Sequence, residues 1–196
     1  VGEDEATADT RQRLIETAAR HFAEFGFEAA SLRAIQRELG VNPASVHYHF
    51  GSKRAVYEAI MDSYLARVQA ERSARLEAID GKLRGRARLE ALLRAYTAPH
   101  LEVVAQEQGE AYGRLMARGV IEPHGTGPDV VMVLQPLRER FLSEVGRLFP
   151  DAGRSTIARC LSFAIILMAT VPFDRSYAAM TGRKPRGESA KAWIEA

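Results

Sequence analysis

The stretch "LGVNPASVHYHFGSK" (residues 39–53) contains a helix stop, a helix start and a run of histidine and tyrosine side chains. Gly40 can adopt the left-handed conformation that ends helices. Asn42 can cap a new helix, and Pro43 suits the first position of that helix because the N–H it lacks would have no partner there. Two short helices joined by such a turn, with a longer helix before them, predict a helix-turn-helix unit.

The segment before this stretch also predicts helices. In "TRQRLIETAARHFAEFG" (residues 10–26) apolar residues recur every three or four positions, which is typical of an amphipathic helix. Asp9 or Thr10 is expected to cap this first helix, Gly26 to stop it, and Ser31 to cap the second. The apolar stripe of the first helix is Leu14, Ile15, Ala18, Ala19, Phe22 and Phe25. The residues expected to pack on it from the second and third helices are Leu32, Ile35, Leu39, Val41, Val46 and Phe50.

Beyond residue 51 the chain predicts further helices and no strand. Ser52 is expected to start a long helix to about Ile79, and the charged, glycine-containing "DGKLRGR" (residues 80–86) to form a joint. Pro99 and Pro150 are expected to separate later helices, because proline cannot donate a backbone hydrogen bond. These later helices are predicted at 86–97, 99–118, 129–148 and 154–177. The fold class is therefore all-α, with a mobile acidic tail at the N-terminus.

The apolar run "CLSFAIILMATVPF" (residues 160–173) is shorter than the ~20 residues needed to cross a bilayer, so it predicts a buried helix. The wider segment 155–173 has too many apolar residues for one buried stripe. A second apolar surface is needed, which either a pocket or a partner chain can supply. The helix at 129–148 can pair with it, and two chains doing so would form a four-helix dimer interface.

Positive charge is concentrated near the opening stretch. The net charge of the chain is only +2, but residues 31–57 contain four basic residues against Glu38 alone. Small residues at the start of the third helix would let it approach the floor of a DNA major groove, where hydroxyl and imidazole groups can reach bases or phosphates. Lys53 adds a charge beside the amides of a helix N-terminus, which bind phosphate well. The side chains left for this surface are Pro43, Ala44, Ser45, His47, Tyr48 and His49.

The stretch from residue 13 to 60, "RLIETAARHFAEFGFEAASLRAIQRELGVNPASVHYHFGSKRAVYEAI", resembles the DNA-binding domain of the TetR family of transcriptional regulators. The family usually has tyrosine where this chain has His47, so a phosphate contact there is predicted to depend on pH. The resemblance implies base-facing side chains at Arg33, Pro43, Ala44, Ser45 and Tyr48. It implies contacts with the DNA backbone from Ser31, His47, His49 and Lys53.

The resemblance also implies a larger helical C-terminal domain that binds a small molecule and dimerises through its last two long helices. The predicted units are a DNA-binding domain at 8–54, a connecting helix to about residue 79, and an effector-binding and dimerisation domain at 86–196. Family branches with a non-aromatic polar residue at the position of His47 include regulators of fatty-acid metabolism, which suggests a fatty-acyl or other apolar effector. Candidate lining residues are Tyr112, Met116, Met132 and Met168, although each also fits a plain core.

The predicted function is a homodimeric repressor of a palindromic double-stranded operator, released by the effector, with no enzymatic activity, cofactor or metal. Cys160 cannot form an internal disulfide and no leader is recognisable, so the expected location is the cytoplasm, without membrane association. His47 and His49 cannot share a metal ion, because residues two apart on a helix face different directions. His100 is expected at the surface or in a pocket lining. Two alternatives are an all-helical small-molecule carrier or enzyme, and a protein-interaction module.

Overall fold

The computed structural model describes residues 2–41, 50–106, 109–121, 130–173, 179–180 and 182, with the backbone alone at 2–8, 121 and 130–133. Its described ranges contain seven α-helices, a short 3₁₀ turn at Val171–Phe173 and no strand, which confirms the all-α fold class. The helices are α1 Gly2–Ala29, α2 Leu32–Leu39, α3 Lys53–Glu77, α4 Gly85–Val104, α5 Gly109–Ile121, α6 Val130–Leu148 and α7 Arg154–Thr170.

The predicted stops near the N-terminus are confirmed. Gly26 interrupts α1 with a φ of 77°, and Gly40 follows α2 with a φ of 66°, a left-handed conformation that favours glycine. The Val41 N–H then donates to the Gln36 carbonyl (3.2 Å), which closes the end of α2. Ser52 caps α3 by accepting a hydrogen bond from the Ala55 N–H (3.1 Å). The predicted short helix at 42–50 lies, apart from its last residue, outside the described residues.

Two predicted boundaries are wrong. Helix α1 begins at Gly2 rather than near Thr10, so the expected mobile tail has a helical backbone. Acidic residues are favourable near a helix N-terminus, where the backbone dipole is positive. Helix α4 continues through Pro99, because burial of this part of the helix offsets one missing backbone hydrogen bond. The chain turns instead before Gly109, where a Cβ would lie 1.7 Å from the Val103 carbonyl oxygen and only glycine fits.

The apolar side chains form two cores that share α3. The first joins α1, α2 and residues 56–68 of α3 with side chains from α4, α5 and α6. Ile35 is fully buried in it, and Leu32, Leu39, Val41 and Phe50 pack against it as predicted, whereas Val46 lies outside the described residues. The second core joins the C-terminal end of α3 with α4, α6 and α7. Helix α3 therefore connects the two halves of the described chain.

Helix α7 corrects the prediction of a buried helix. Its described residues bury only Ile157, Leu161 and Ala169 within the chain. Phe163, Ile166 and Leu167 are 65%, 43% and 58% exposed, so the second apolar surface expected from the sequence is present on this helix. With the 3₁₀ turn, the segment Arg154–Phe173 is 20 residues long and contains an 18-residue window with a mean hydropathy of 1.8, so by length and composition it could also cross a membrane.

Candidate nucleic-acid interface and ligand cavity

The residues at the start of α2 are placed toward solvent. Ser31 occupies the N-cap position in an extended conformation, and its carbonyl accepts hydrogen bonds from the N–H groups of Ala34 (3.0 Å) and Ile35 (3.1 Å). Its side chain makes no capping hydrogen bond, contrary to the expectation that Ser31 caps α2 through its hydroxyl. Arg33, the second residue of the helix, is also exposed. Both predicted DNA contacts on α2 are therefore accessible to a polyanion.

The one acidic residue of α2 is neutralised by α1. Glu38 accepts hydrogen bonds from His21 Nε2 (2.7 Å) and Arg20 (2.6 Å), and these two bonds, in that order, hold the pKa of the Glu38 carboxyl below its usual value. Arg33 and Arg37 are four residues apart and share one helix face. The acidic residue thus faces α1, and the exposed face of α2 keeps its positive charge.

Lys53, the first residue of α3, is held by the chain itself. Its Nζ donates a hydrogen bond to the Glu28 carbonyl (2.9 Å) and lies 4.9 Å from the centre of the Phe27 ring. Contact with a phosphate would therefore require this side chain to exchange an internal partner for DNA. Arg54 beside it is exposed and paired with Glu58 (2.8 Å).

The remaining predicted DNA contacts lie outside the described residues: Pro43, Ala44, Ser45, His47, Tyr48 and His49. The chain is described again from Phe50, whose ring packs on the first core and lies 5.0 Å from the Arg11 guanidinium. The two ends of the undescribed segment, at Val41 and Phe50, both pack on this core. The core therefore holds the two described residues that flank this segment.

A cavity of about 380 Å³ lies among α3, α4, α5, α6 and α7. Of the four predicted lining residues, Met116 and Met168 line it. Tyr112 is not among its lining residues and instead stacks on Tyr64, with ring centres 5.4 Å apart. The side chain of Met132 lies outside the described part of the structure. The other apolar lining includes Met61, Leu65, Val68, Leu134, Leu142 and Leu161.

The cavity wall also contains polar side chains that were not among the predicted ligand-binding residues, and these include Tyr64, Arg72, His100 and Arg138. The Tyr64 hydroxyl hydrogen-bonds to His100 Nδ1, and both side chains are buried. Burial raises the pKa of Tyr64. Burial, with a smaller contribution from the charge of Arg72, lowers the pKa of His100 to about 3. The neutral ring therefore accepts from Tyr64 at Nδ1 and keeps its proton on Nε2.

Arg72 is the most deeply buried cation in this wall. Its Nε donates to the Tyr96 carbonyl (2.7 Å), and its guanidinium lies 4.3 Å from the centre of the Tyr96 ring. A sequence signal existed, because Arg72 lies four residues from Val68 and from Leu76, in the apolar stripe of α3. A charged residue within such a stripe indicates either a buried polar contact or a polar end of a cavity.

Burial of His100 makes the free energy of unfolding depend on pH. Between pH 6.5 and about 3 the unfolded chain binds a proton at His100 that the folded chain does not. Stability should therefore fall as pH falls, by up to about 1.4 kcal/mol per pH unit from this residue. In urea titrations at pH 7 and pH 5, the parent should lose roughly 2 kcal/mol more than His100→Gln, which cannot titrate. Equal losses in the two proteins would contradict a neutral, buried His100.

Helix α5 also connects the cavity to α1. Met116 and Gly119 line the cavity, while Arg118 donates hydrogen bonds to the carbonyls of Ala23 and Glu24 (both 3.2 Å). These carbonyls lie just before the interruption of α1 at Gly26, where a positive charge is favourable. A shift of α5 at the cavity would therefore act directly on α1. Within the described residues no group of three or more His, Cys, Asp or Glu side chains could hold a metal ion.

Curated proteins with similar sequences match the N-terminal part of the chain. The chain is 38% identical over 52 residues to the HTH-type transcriptional regulator UidR of Escherichia coli K12, which is 26% of this chain and 26% of that protein. It is 34% identical over 73 residues to the HTH-type transcriptional repressor AcnR of Corynebacterium glutamicum, covering 37% of this chain and 36% of the relative. These matches span well under half of either relative.

Two family models and a solved structure extend the similarity to the whole chain. The crystal structure of a gamma-butyrolactone receptor, an ArpA-like protein, superposes with a TM-score of 0.63 at 21% identity over 97% of both chains, which shows a shared fold. The model for bacterial regulatory proteins of the tetR family matches residues 14–60. The model for the tetracyclin repressor-like C-terminal domain matches residues 94–196, more than half of the chain. The chain belongs to the TetR family of helix-turn-helix transcriptional regulators.

Proposed function

We propose that this protein is a homodimeric transcriptional repressor whose binding to a palindromic operator is relieved by a small, largely apolar effector. The observation that carries the proposal is the connection, through α3 and α5, between the helix-turn-helix core and a mostly apolar cavity. The proposed division is a DNA-binding domain at 8–54, a connecting helix to about 79 and an effector domain at 86–196. Its place of action is the cytoplasm, and its role is regulatory rather than enzymatic.

The proposed DNA contacts divide into two groups. Arg33, Pro43, Ala44, Ser45 and Tyr48 face bases, and Ser31, His47, His49 and Lys53 hold the DNA backbone. The exposure of Arg33 and Ser31 supports these assignments on α2. In a dimer, two recognition segments would enter major grooves about 34–36 Å apart, one helical turn of DNA.

The exposed apolar face of α7 is the proposed dimer surface. Phe163, Ile166 and Leu167 lie on this face, and α6 packs beside α7. A bilayer could also cover such a face, but membership of a DNA-binding family supports a second copy of the chain. A symmetric pairing of α6 and α7 from two chains gives a four-helix interface.

The effector is proposed to occupy the cavity among α3 to α7. Its mainly apolar lining, with Met116 and Met168, suits a fatty-acyl or other apolar molecule. A similarly folded protein is described as a gamma-butyrolactone receptor, which supports a small organic effector here. Binding would shift α5 and, through Arg118, the end of α1. The change in operator affinity cannot exceed the difference in effector affinity between the two dimer states.

Selection of duplexes from a random pool by the full chain, read by sequencing at two salt concentrations, tests this function. A palindrome enriched over a salt-sensitive background is expected. Binding without any sequence preference would contradict an operator-specific repressor. No DNA binding, with or without candidate effectors, would favour the alternative of a small-molecule carrier, which the same cavity would suit.

Lys53→Ala is expected to weaken specific and non-specific DNA binding alike, by about tenfold each, because it removes a phosphate contact from each half of the dimer. The salt dependence of binding should become shallower.

Tyr48→Ala should weaken binding to the selected palindrome and leave non-specific binding closer to that of the parent. Fluorescence anisotropy with a labelled duplex measures both. The control is Lys82→Ala, which removes an exposed lysine in the loop before α4. Parental affinity in both test variants would refute the assigned contacts.

A further inference from the structure

The cavity proposed for the effector has one strongly polar end. Arg72 and Arg138 both line it, and the positive charge of Arg138 adds to burial in lowering the pKa of Arg72. Two guanidinium groups in the wall of a mainly apolar cavity are costly unless an anion or good acceptors pair with them. An arrangement of this kind is stabilised by an anion placed between them or beside them.

No carboxylate of the described chain supplies that anion. Arg72 donates to the Tyr96 carbonyl and to the Gln69 side chain (3.1 Å), which are both neutral acceptors. Glu139 also lines the cavity, but its carboxylate already accepts hydrogen bonds from Arg154 and from Gln135. The two arginines therefore lack an acidic partner among the residues that the structure describes.

Two buried hydrogen-bonding atoms in the same wall are also unpartnered. Among the described residues, Arg138 Nε and His100 Nε2 are buried and make no hydrogen bond. Arg138 Nε is a donor, and His100 Nε2 is one as well, because Nδ1 is occupied by the Tyr64 hydroxyl. Buried donors without acceptors are uncommon and destabilising. Acceptor oxygens of a ligand in the cavity would satisfy donors of this kind.

We propose that the effector is an amphiphile with a single carboxylate, which Arg72, Arg138 and His100 bind at the polar end of the cavity while its apolar body contacts the methionine-rich remainder. The proposal rests on the proposed function, which it deepens by naming the effector's head group. The charged side chains that line the cavity are Arg72, Arg138 and Glu139, so their sum is +1 (2 − 1), which one carboxylate balances.

The cavity volume sets the size of the probe. About 380 Å³ holds roughly a dozen non-hydrogen atoms at ~30 Å³ each, the share of one liquid water molecule. Decanoate has this size. Straight-chain carboxylates around decanoate in length, each compared with the alcohol of the same length, isolate the contribution of the charged head group.

Isothermal titration calorimetry of the full chain with decanoate and 1-decanol is the test. On the parent protein the carboxylate should bind at least about tenfold more tightly than the alcohol, as expected for charge-assisted hydrogen bonds in a buried site. Arg138→Met should weaken decanoate binding by about tenfold and leave 1-decanol binding unchanged, which also shows that the variant is folded. Arg147→Met, on the same helix but 70% exposed, is the matched control and should bind both probes like the parent.

The outcomes separate this inference from the proposed function. Equal affinity of the parent for acid and alcohol would refute the carboxylate site and leave an apolar effector in place. A loss of both probes together in a folded Arg138→Met protein would also refute it. No binding of any acid or alcohol in the series would overturn the inference and the apolar effector together. Selection of an operator by the parent protein does not depend on these titrations. If that selection fails, the result contradicts the proposed repressor function and leaves the carboxylate site untouched.

Discussion

The double substitution Phe163→Asp with Leu167→Asp should give a folded monomer that no longer binds a palindromic duplex. Both side chains are more than half exposed in the single chain, so their loss creates no cavity. In a symmetric dimer both protomers would bury these two side chains, so four side chains are buried in all. At roughly 1.5–3 kcal/mol per side chain, they contribute on the order of 6 kcal/mol or more to dimer stability. The dimer dissociation constant should rise at least about a thousandfold.

Sedimentation velocity and duplex binding measure the two parts of this prediction. Leu93→Asp replaces another exposed leucine, on α4, and should leave the dimer intact. A double variant that stays dimeric would place the dimer interface elsewhere. A variant that becomes monomeric and still binds the palindrome with parental affinity would contradict the proposal that operator binding requires the dimer.

Phe22→Ala should destabilise the DNA-binding half by about 3–5 kcal/mol, the usual cost of removing a fully buried phenylalanine. Phe22 is inaccessible to solvent, and its ring stacks on Phe27 and meets Tyr57 edge-on, with ring centres 5.8 and 5.3 Å apart. Tyr57 belongs to α3, so the substitution loosens the contact between α1 and α3 at the site where Lys53 is held.

Phe25→Ala is the matched control, because it removes the same side chain three residues further along α1. Phe25 is 50% exposed, so its loss should cost only ~0.5 kcal/mol. Urea denaturation at one fixed protein concentration compares the two variants, since a dimer's stability depends on concentration. Similar losses in both would show that the burial of α1 differs from the arrangement described above.

Local signals were sufficient for the N-terminal helices. The stops at Gly26 and Gly40 and the cap at Ser52 depend on the local preferences of single residue types, so they can be predicted from residue identity alone. Pro99 was misleading for the opposite reason. Its effect depends on how strongly the surrounding helix is buried, and burial of neighbouring side chains outweighed one lost hydrogen bond. Phe25 was misleading in a similar way: its spacing predicts a place in the apolar stripe of α1, but its side chain is half exposed.

The cavity was less predictable, because five helices from distant parts of the chain form it. Residue type alone found Met116 and Met168, which face the cavity, and equally suggested Tyr112, which packs against Tyr64. His100 was expected at the surface or in a pocket lining, and it lies in the lining. Arg138 could not be recognised from its neighbours, since charged residues are common on every helix of this chain. Which charge turns inward is decided by the packing of α3, α4 and α6.

The shared helix α3 has a mechanical consequence. It has 25 residues and is therefore about 37 Å long at 1.5 Å per residue. A tilt of about 5° around its C-terminal end would move Lys53 sideways by about 3 Å. In a symmetric pair the two movements add to about 6 Å, against a groove separation of about 34 Å. Helix α3 is thus long enough to convert a small change of angle at one end into a displacement of several ångströms at the other end. In the proposed dimer, a small rotation of α3 on ligand binding would therefore be enough to move the two recognition segments out of register with the double helix.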